Sequence, residues 1–157
     1  MRRFASVLLV DARGWVLLQE RDEHPVIDPG CWGFVGGHVD RDEEPESAAY
    51  RELLEETGLH VEPPALQLWR EMSIYHAAYE SLDEVFVYVS ATNATDADIV
   101  LGEGRQIVFV DPTTVDQLPL TASATRILPE FLASDRYRSL AGRGDDGDDR
   151  GDRAVTA

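Results

Sequence analysis

An α/β fold with a mixed β-sheet is what this sequence predicts, and three observations predict it. Several apolar, β-branched runs have the length of strands, one amphipathic helix lies early, between Pro45 and Gly58, and another lies late, between Ala122 and Ala133. The 157 residues suit one domain with room for a core, and 43% apolar content argues against wholesale disorder.

Residues 4–10 form an apolar run rich in strand formers, and 15–18 form a second. Asp11 to Gly14 supply turn residues between them, so the two are expected to pair as a hairpin. Asp, Pro and Gly crowd residues 22–30, which marks a loop. Residues 31–35 follow as a short strand ending at Gly36 and Gly37. The helix expected over 45–57 starts at Pro45, where a missing N–H costs nothing, and stops at Gly58, which suits the left-handed position. Glu43, Glu44 and Glu46 stand at the positive end of its dipole. Alternation over 65–77 and 84–91 predicts two further strands, and 106–110 another. The last helix, 122–133, should be interrupted or kinked near Pro129. From Ala141 the composition turns to Gly, Asp and Arg, so the domain is expected to span 1–140 and 141–157 to be a disordered acidic tail. Arg-Gly-Asp triplets begin there at Arg143 and Arg150, and in so biased a tail they carry no adhesion signal.

The net charge is −16, from 14 basic and 30 acidic residues, and every basic residue is arginine. Without lysine the chain cannot form a Schiff base or bind phosphate through a P-loop lysine. So acidic a surface repels phosphate backbones, which disfavours duplex nucleic acid, although a cation can still mediate contact with a small phosphorylated ligand. The single cysteine, Cys31, excludes an intrachain disulfide and a cysteine-rich zinc site, and it is expected to be a small core residue. No stretch approaches the ~18 apolar residues of a membrane span. The expected location is the reducing cytoplasm, with no membrane association.

The helix carries the chemistry. At about 100° per residue, Glu52, Glu55 and Glu56 share one arc, while Ala49, Tyr50, Leu53 and Leu54 share a broadly opposite one that can pack on a sheet. Like charges at this spacing repel on an ordinary helix. As hard oxygen donors they suit Mg²⁺ or Mn²⁺, which keep water and substrate phosphate in their shells. A solvated acidic face would look the same if the three glutamates stood alone. They do not: Gly37, five residues, Glu43, seven residues, then Arg51-Glu-Leu-Leu-Glu-Glu-Thr-Gly-Leu59 is a pattern that arises by chance in ~10⁻⁷ to 10⁻⁶ of chains of this composition.

That pattern is the complete Nudix box, and over residues 3–134 the chain resembles the Nudix hydrolase family. The resemblance implies an α/β/α sandwich with a mixed sheet, and hydrolysis of a nucleoside diphosphate linked to another moiety. It implies Mg²⁺ or Mn²⁺ held by Glu52, Glu55, Glu56 and the Gly36 carbonyl, with Arg51 pairing to a neighbouring carboxylate and Glu43 as an orienter or weak ligand. Glu52 or Glu56 could orient or deprotonate the attacking water. In some relatives the base comes from a loop outside the box, and Glu103 is the loop candidate here. Homodimers are frequent in the family.

Two positions depart from the usual pattern. Val35 replaces a common proline before the paired glycines, and Gln106 stands where many relatives place a glutamate that binds metal or acts as base. Gln106 cannot ionise, so that role is lost or moves to Glu103. Arg21 and His38 are the candidate phosphate contacts. Trp32, Tyr75, His76, Tyr79 and Phe86 could stack a base, although aromatics at strand spacing usually belong to a core. His24 and His60 look like loop residues. The expected function is Mg²⁺-dependent cleavage of a pyrophosphate linkage in a nucleoside triphosphate, nucleotide sugar or ADP-ribose. The rival is a catalytically silent nucleotide-binding or sensor module, for which the intact box is an obstacle. A structural protein with an acidic tail and a DNA-binding regulator rank lower, the latter because no basic patch exists.

Overall fold

The computed structural model of the chain describes residues 1–142. Seven strands, β1 (Arg3–Val10), β2 (Val16–Glu20), β3 (Trp32–Gly33), β4 (Val35–His38), β5 (Gln67–His76), β6 (Ser81–Ala91) and β7 (Gln106–Val110), form one sheet. Among the described residues three α-helices, α1 (Pro45–Thr57), α2 (Ala122–Leu132) and α3 (Asp135–Ala141), cover its two faces. β1 and β6 pair in parallel along all of β1, whereas the remaining pairings are antiparallel, so the sheet is mixed as expected.

Period-two alternation sorts each strand between two cores. Leu8, Val10, Val16, Leu18, Val85 and Val87 face α2 and α3, where Ile127, Leu128 and Phe131 are fully buried. Ala5, Val7, Leu9, Leu17 and Phe109 face α1, which buries Ala48, Ala49 and Leu53 against them. The result is an α/β/α sandwich.

The expected hairpin of β1 and β2 closes at a single pair, Val10 with Val16. Beyond it the strands part, and β2 instead pairs along its whole length with β7. The Asp11 carboxylate accepts the N–H groups of Arg13 and Trp15, which shapes the turn. The strand expected over 31–35 is divided at Phe34. Its first part pairs with β2, and its second part pairs with the Phe4–Val7 stretch of β1. This crossing fills the split in the sheet and carries Gly36, Gly37 and His38 to the end of α1.

Three other expectations change. Leu54 is 46% exposed instead of packing on the sheet, because it sits at the edge of the apolar arc. Cys31 is only half buried. α2 is not interrupted at Pro129, since its buried stripe of Ala124, Ile127, Leu128 and Phe131 holds the helix by packing. The sequence reading also missed α3, which Ser134 caps and whose Tyr137 hydroxyl donates to the Gly14 carbonyl at 2.7 Å. The boundary set after residue 140 therefore falls inside α3, and the tail beyond Gly142 lies outside the described residues. Tyr137→Phe should remove that hydrogen bond at a cost of ~1 kcal/mol, visible as a fall of about 2–6 °C in Tm by calorimetry.

Candidate active site

α1 presents its carboxylates at three depths. Glu56 is 4% exposed, the Glu52 side chain 14% and the Glu55 side chain 59%. Pro45 opens the helix and Gly58 closes it in the left-handed conformation at φ 73°, donating to the Leu54 carbonyl. A loop then covers the C-terminal end: Val100 N–H donates to the Thr57 carbonyl and Gly102 N–H to the Glu56 carbonyl, both at 2.8 Å. These bonds satisfy orphan helix carbonyls and bring the next residue, Glu103, to the carboxylates. The Gln19 side-chain amide donates to the Glu103 carbonyl at 2.9 Å and fixes the loop from the β2 side.

β4 approaches from the other side. The Gly36 N–H donates to Glu56 Oε2 at 3.3 Å. A Cβ on Gly36, at φ 149°, would lie 2.1 Å from the Ala5 carbonyl oxygen, so that position requires glycine; one on Gly37 would lie 2.6 Å from Glu52 Oε1 and would push that carboxylate aside.

Arg51 ties the parts together. Its Nε and Nη2 form a bidentate pair with Glu43 at 2.8 and 2.9 Å. Nη1 donates to Glu52 at 2.9 Å and to Glu55 at 3.3 Å, and Nη2 also donates to the His38 carbonyl. These bonds hold the Glu43 carboxyl at about 2 and raise the Arg51 guanidinium further above its ordinary value. Glu43 is thus a partner of Arg51 and of the Asp40 N–H rather than a free helix-end charge.

Electrostatics divide the glutamates again. Burial pushes the Glu56 carboxyl up to about 8; the charges of Glu52 and Glu103 add to the rise, while the Gly36 N–H and Arg21 oppose it. Burial also raises Glu52, against the pull of Arg51. Among the described residues no three His, Cys, Asp or Glu side chains already converge as a cation cage, since Arg51 draws Glu55 and Glu52 toward itself. The donor set nevertheless fits a hard divalent cation. It offers buried carboxylate oxygens that repel one another and lack full compensation by the neighbouring arginines.

Glu52, Glu56 and Glu103 line a cavity of about 380 Å³ together with Gly36, His38 and Arg21. Arg21 also donates from Nε to the Ile27 carbonyl at 3.1 Å, so it braces the 22–30 loop at the cavity wall. Glu55 is not among the lining residues. Of the five candidate stacking residues, His76 and Tyr79 line the cavity. Trp32 is buried in the sheet, Tyr75 is 58% exposed, and Phe86 packs against the core under α1. Gln106 is absent from the cavity; it pairs across the sheet with Glu20 and its amide lies 3.5 Å from that carboxylate. Its departure from the usual residue therefore leaves the cavity carboxylates untouched. Sequence reasoning missed Ser6 and Gln19, which line the cavity, and Asp83, which is buried behind His76 and which no local pattern announces.

A NUDIX domain family model matches residues 1–133 of the chain. The chain belongs to the Nudix hydrolase family. The MutT NUDIX hydrolase of Burkholderia pseudomallei superposes with a TM-score of 0.68 at 30% identity, covering 82% of this chain and 95% of that one. The NUDIX domain of Shewanella oneidensis NrtR, solved with ADP ribose, gives a TM-score of 0.68 at 20% identity over 82% of this chain and 84% of its own. Among curated relatives, the RNA pyrophosphohydrolase of Gluconacetobacter diazotrophicus is 39% identical over 61 residues, 36% of each chain. The human m7GpppN-mRNA hydrolase NUDT17 is 35% identical over 74 residues, 47% of this chain and 22% of its own. The chain thus spans about a third or less of the length of these curated relatives. No helix among the described residues is long and apolar enough to cross a membrane.

Proposed function

We propose that the chain is a Mg²⁺- or Mn²⁺-dependent hydrolase of the pyrophosphate linkage in a nucleoside diphosphate derivative, of the nucleoside triphosphate, nucleotide sugar or ADP-ribose type. The observation that carries this reading is the buried Glu56 carboxyl, set against Glu52 and Glu103 on the wall of a nucleotide-sized cavity. The names of the relatives support a phosphorylated nucleotide derivative as substrate, since one is an RNA pyrophosphohydrolase, one an m7GpppN-mRNA hydrolase, and one was solved with ADP ribose.

Glu52, Glu55 and Glu56, with the Gly36 carbonyl, would hold the cation, which when bound neutralises pyrophosphate charge and makes water more acidic. Arg51 positions Glu52 and Glu55 for that task. Glu103 takes the role of base: its carboxylate has no hydrogen-bond donor among the described residues, while its backbone is fixed by Gln19. Arg21 supplies positive charge for a substrate phosphate at the loop wall.

The test is release of phosphate products across a nucleotide panel, with Mg²⁺ and with chelator. Turnover that requires the cation supports the hydrolase. Saturable nucleotide binding without turnover would establish the silent binding module instead.

A further inference from the structure

The cavity has a second polar feature, away from the carboxylates. Asp83 on β6 is 0% exposed and His76 at the end of β5 is 5% exposed. Asp83 Oδ1 accepts the Arg2 N–H and the Ser81 hydroxyl, each at 2.8 Å, and Oδ2 faces His76 Nδ1 at 2.9 Å. Burial alone would raise the Asp83 carboxyl, but these three donors overcome it and hold the group at about 2. A permanent carboxylate accepts only, so Nδ1 must carry the proton, and in the neutral imidazole Nε2 is then left as an acceptor.

His76 Nε2 then has no hydrogen-bond partner among the described residues, and no side-chain nitrogen or oxygen there is both buried and unpaired. Nε2 is therefore open to the cavity that His76 lines. Aromatic rings flank it. Phe4 meets His76 at 5.1 Å and His38 at 4.4 Å between centroids, and Tyr79 meets His38 at 6.3 Å beneath the Arg2 guanidinium. Phe4, His38 and Tyr79 line the same cavity.

We infer that this aromatic end is a nucleobase subsite in which His76 Nε2, fixed as an acceptor by Asp83, selects a base bearing an exocyclic amine. The flat rings supply stacking, which any base satisfies. The fixed acceptor supplies discrimination, because an oxo group in place of the amine sets two acceptors against each other. Adenine is thereby favoured over hypoxanthine, and cytosine over uracil. The assignment rests on the reading of the cavity as a nucleotide site.

Asp83→Asn makes the idea sharply testable. The introduced amide keeps its oxygen on the Arg2 and Ser81 donors, so its N–H faces Nδ1 and drives the proton to Nε2. The acceptor becomes a donor and the preference should reverse. The experiment measures Kd for AMP against IMP and CMP against UMP by calorimetry, with nitrogen NMR of the His76 ring reporting the tautomer. Wild type should favour the amino member of each pair by about tenfold, with the proton on Nδ1. Asp83→Asn should favour the oxo member, with the proton on Nε2. His76→Phe, which keeps the stacked ring, should bind both members equally and serves if the first variant does not fold. Equal affinities in wild type, absence of binding to all four, or a parallel loss for all four in Asp83→Asn would overturn the subsite. Because binding is read without turnover, a base preference in a protein that hydrolyses nothing would refute the hydrolase reading alone. Turnover with no base preference would refute the subsite alone.

Discussion

Glu56→Gln and Glu52→Gln are each expected to lower turnover of the best substrate by about 10²–10⁴-fold, the usual cost of removing a metal ligand or base. Both variants keep the side-chain volume. The amide oxygen introduced at position 56 can still accept the Gly36 N–H, and the one at position 52 can still accept from Arg51, so the fold should survive. What disappears is charge at the wall of the cavity. Steady-state kinetics at saturating Mg²⁺ measure the effect, which should lie in kcat. Wild-type turnover in both variants would remove α1 from the chemistry.

Stability should move in the opposite direction when no metal is present. Glu56 carries a carboxyl raised to about 8 in the native state, against an ordinary value of 4.5. Between those limits the folded protein holds a proton that the unfolded chain releases, so stability falls as pH rises from about 4.5 through about 8. Glu56→Gln cannot titrate and should lack this slope, leaving the metal-free variant more stable than wild type at pH 8. Cation binding reverses the order, because ligand at 100 times its Kd adds ~2.7 kcal/mol to the native state, on the order of 8 °C in Tm for a domain this size. Calorimetry at matched ionic strength separates this from screening. Equal metal-induced shifts in wild type and variant would identify the helix as an ordinary solvated acidic face.

The box residues were legible in the sequence because their arrangement is local. Helix periodicity places Glu52, Glu55 and Glu56 on one face, and Pro45 and Gly58 bound the helix where the structure has it. Periodicity could not rank the three by burial, which depends on β4 and the 99–104 loop closing over Glu56 and leaving Glu55 outside. The strand candidates were legible for the same local reason. Their partners were not: β2 leaves β1 after one pair, and residues 31–38 divide between two strands, because pairing is decided by contacts remote in sequence. The Asp83–His76 pair shows the limit most plainly. Its members lie on opposite arms of a hairpin whose register, His76 with Ser81, sequence alone did not reveal. Glu103 was read correctly as a loop residue, and its approach to Glu56 follows from two backbone hydrogen bonds that leave no mark on composition.

Titration of Mn²⁺ into the protein, followed by loss of the free-ion electron paramagnetic resonance signal, tests the central claim most directly. Wild type is predicted to bind Mn²⁺ saturably, with Glu52→Gln and Glu56→Gln binding far more weakly. Glu62→Gln, at a side chain 80% exposed, should match wild type. Indistinguishable Mn²⁺ binding in all four proteins would contradict the account, since it would assign the affinity to the acidic surface as a whole and not to the carboxylates of α1.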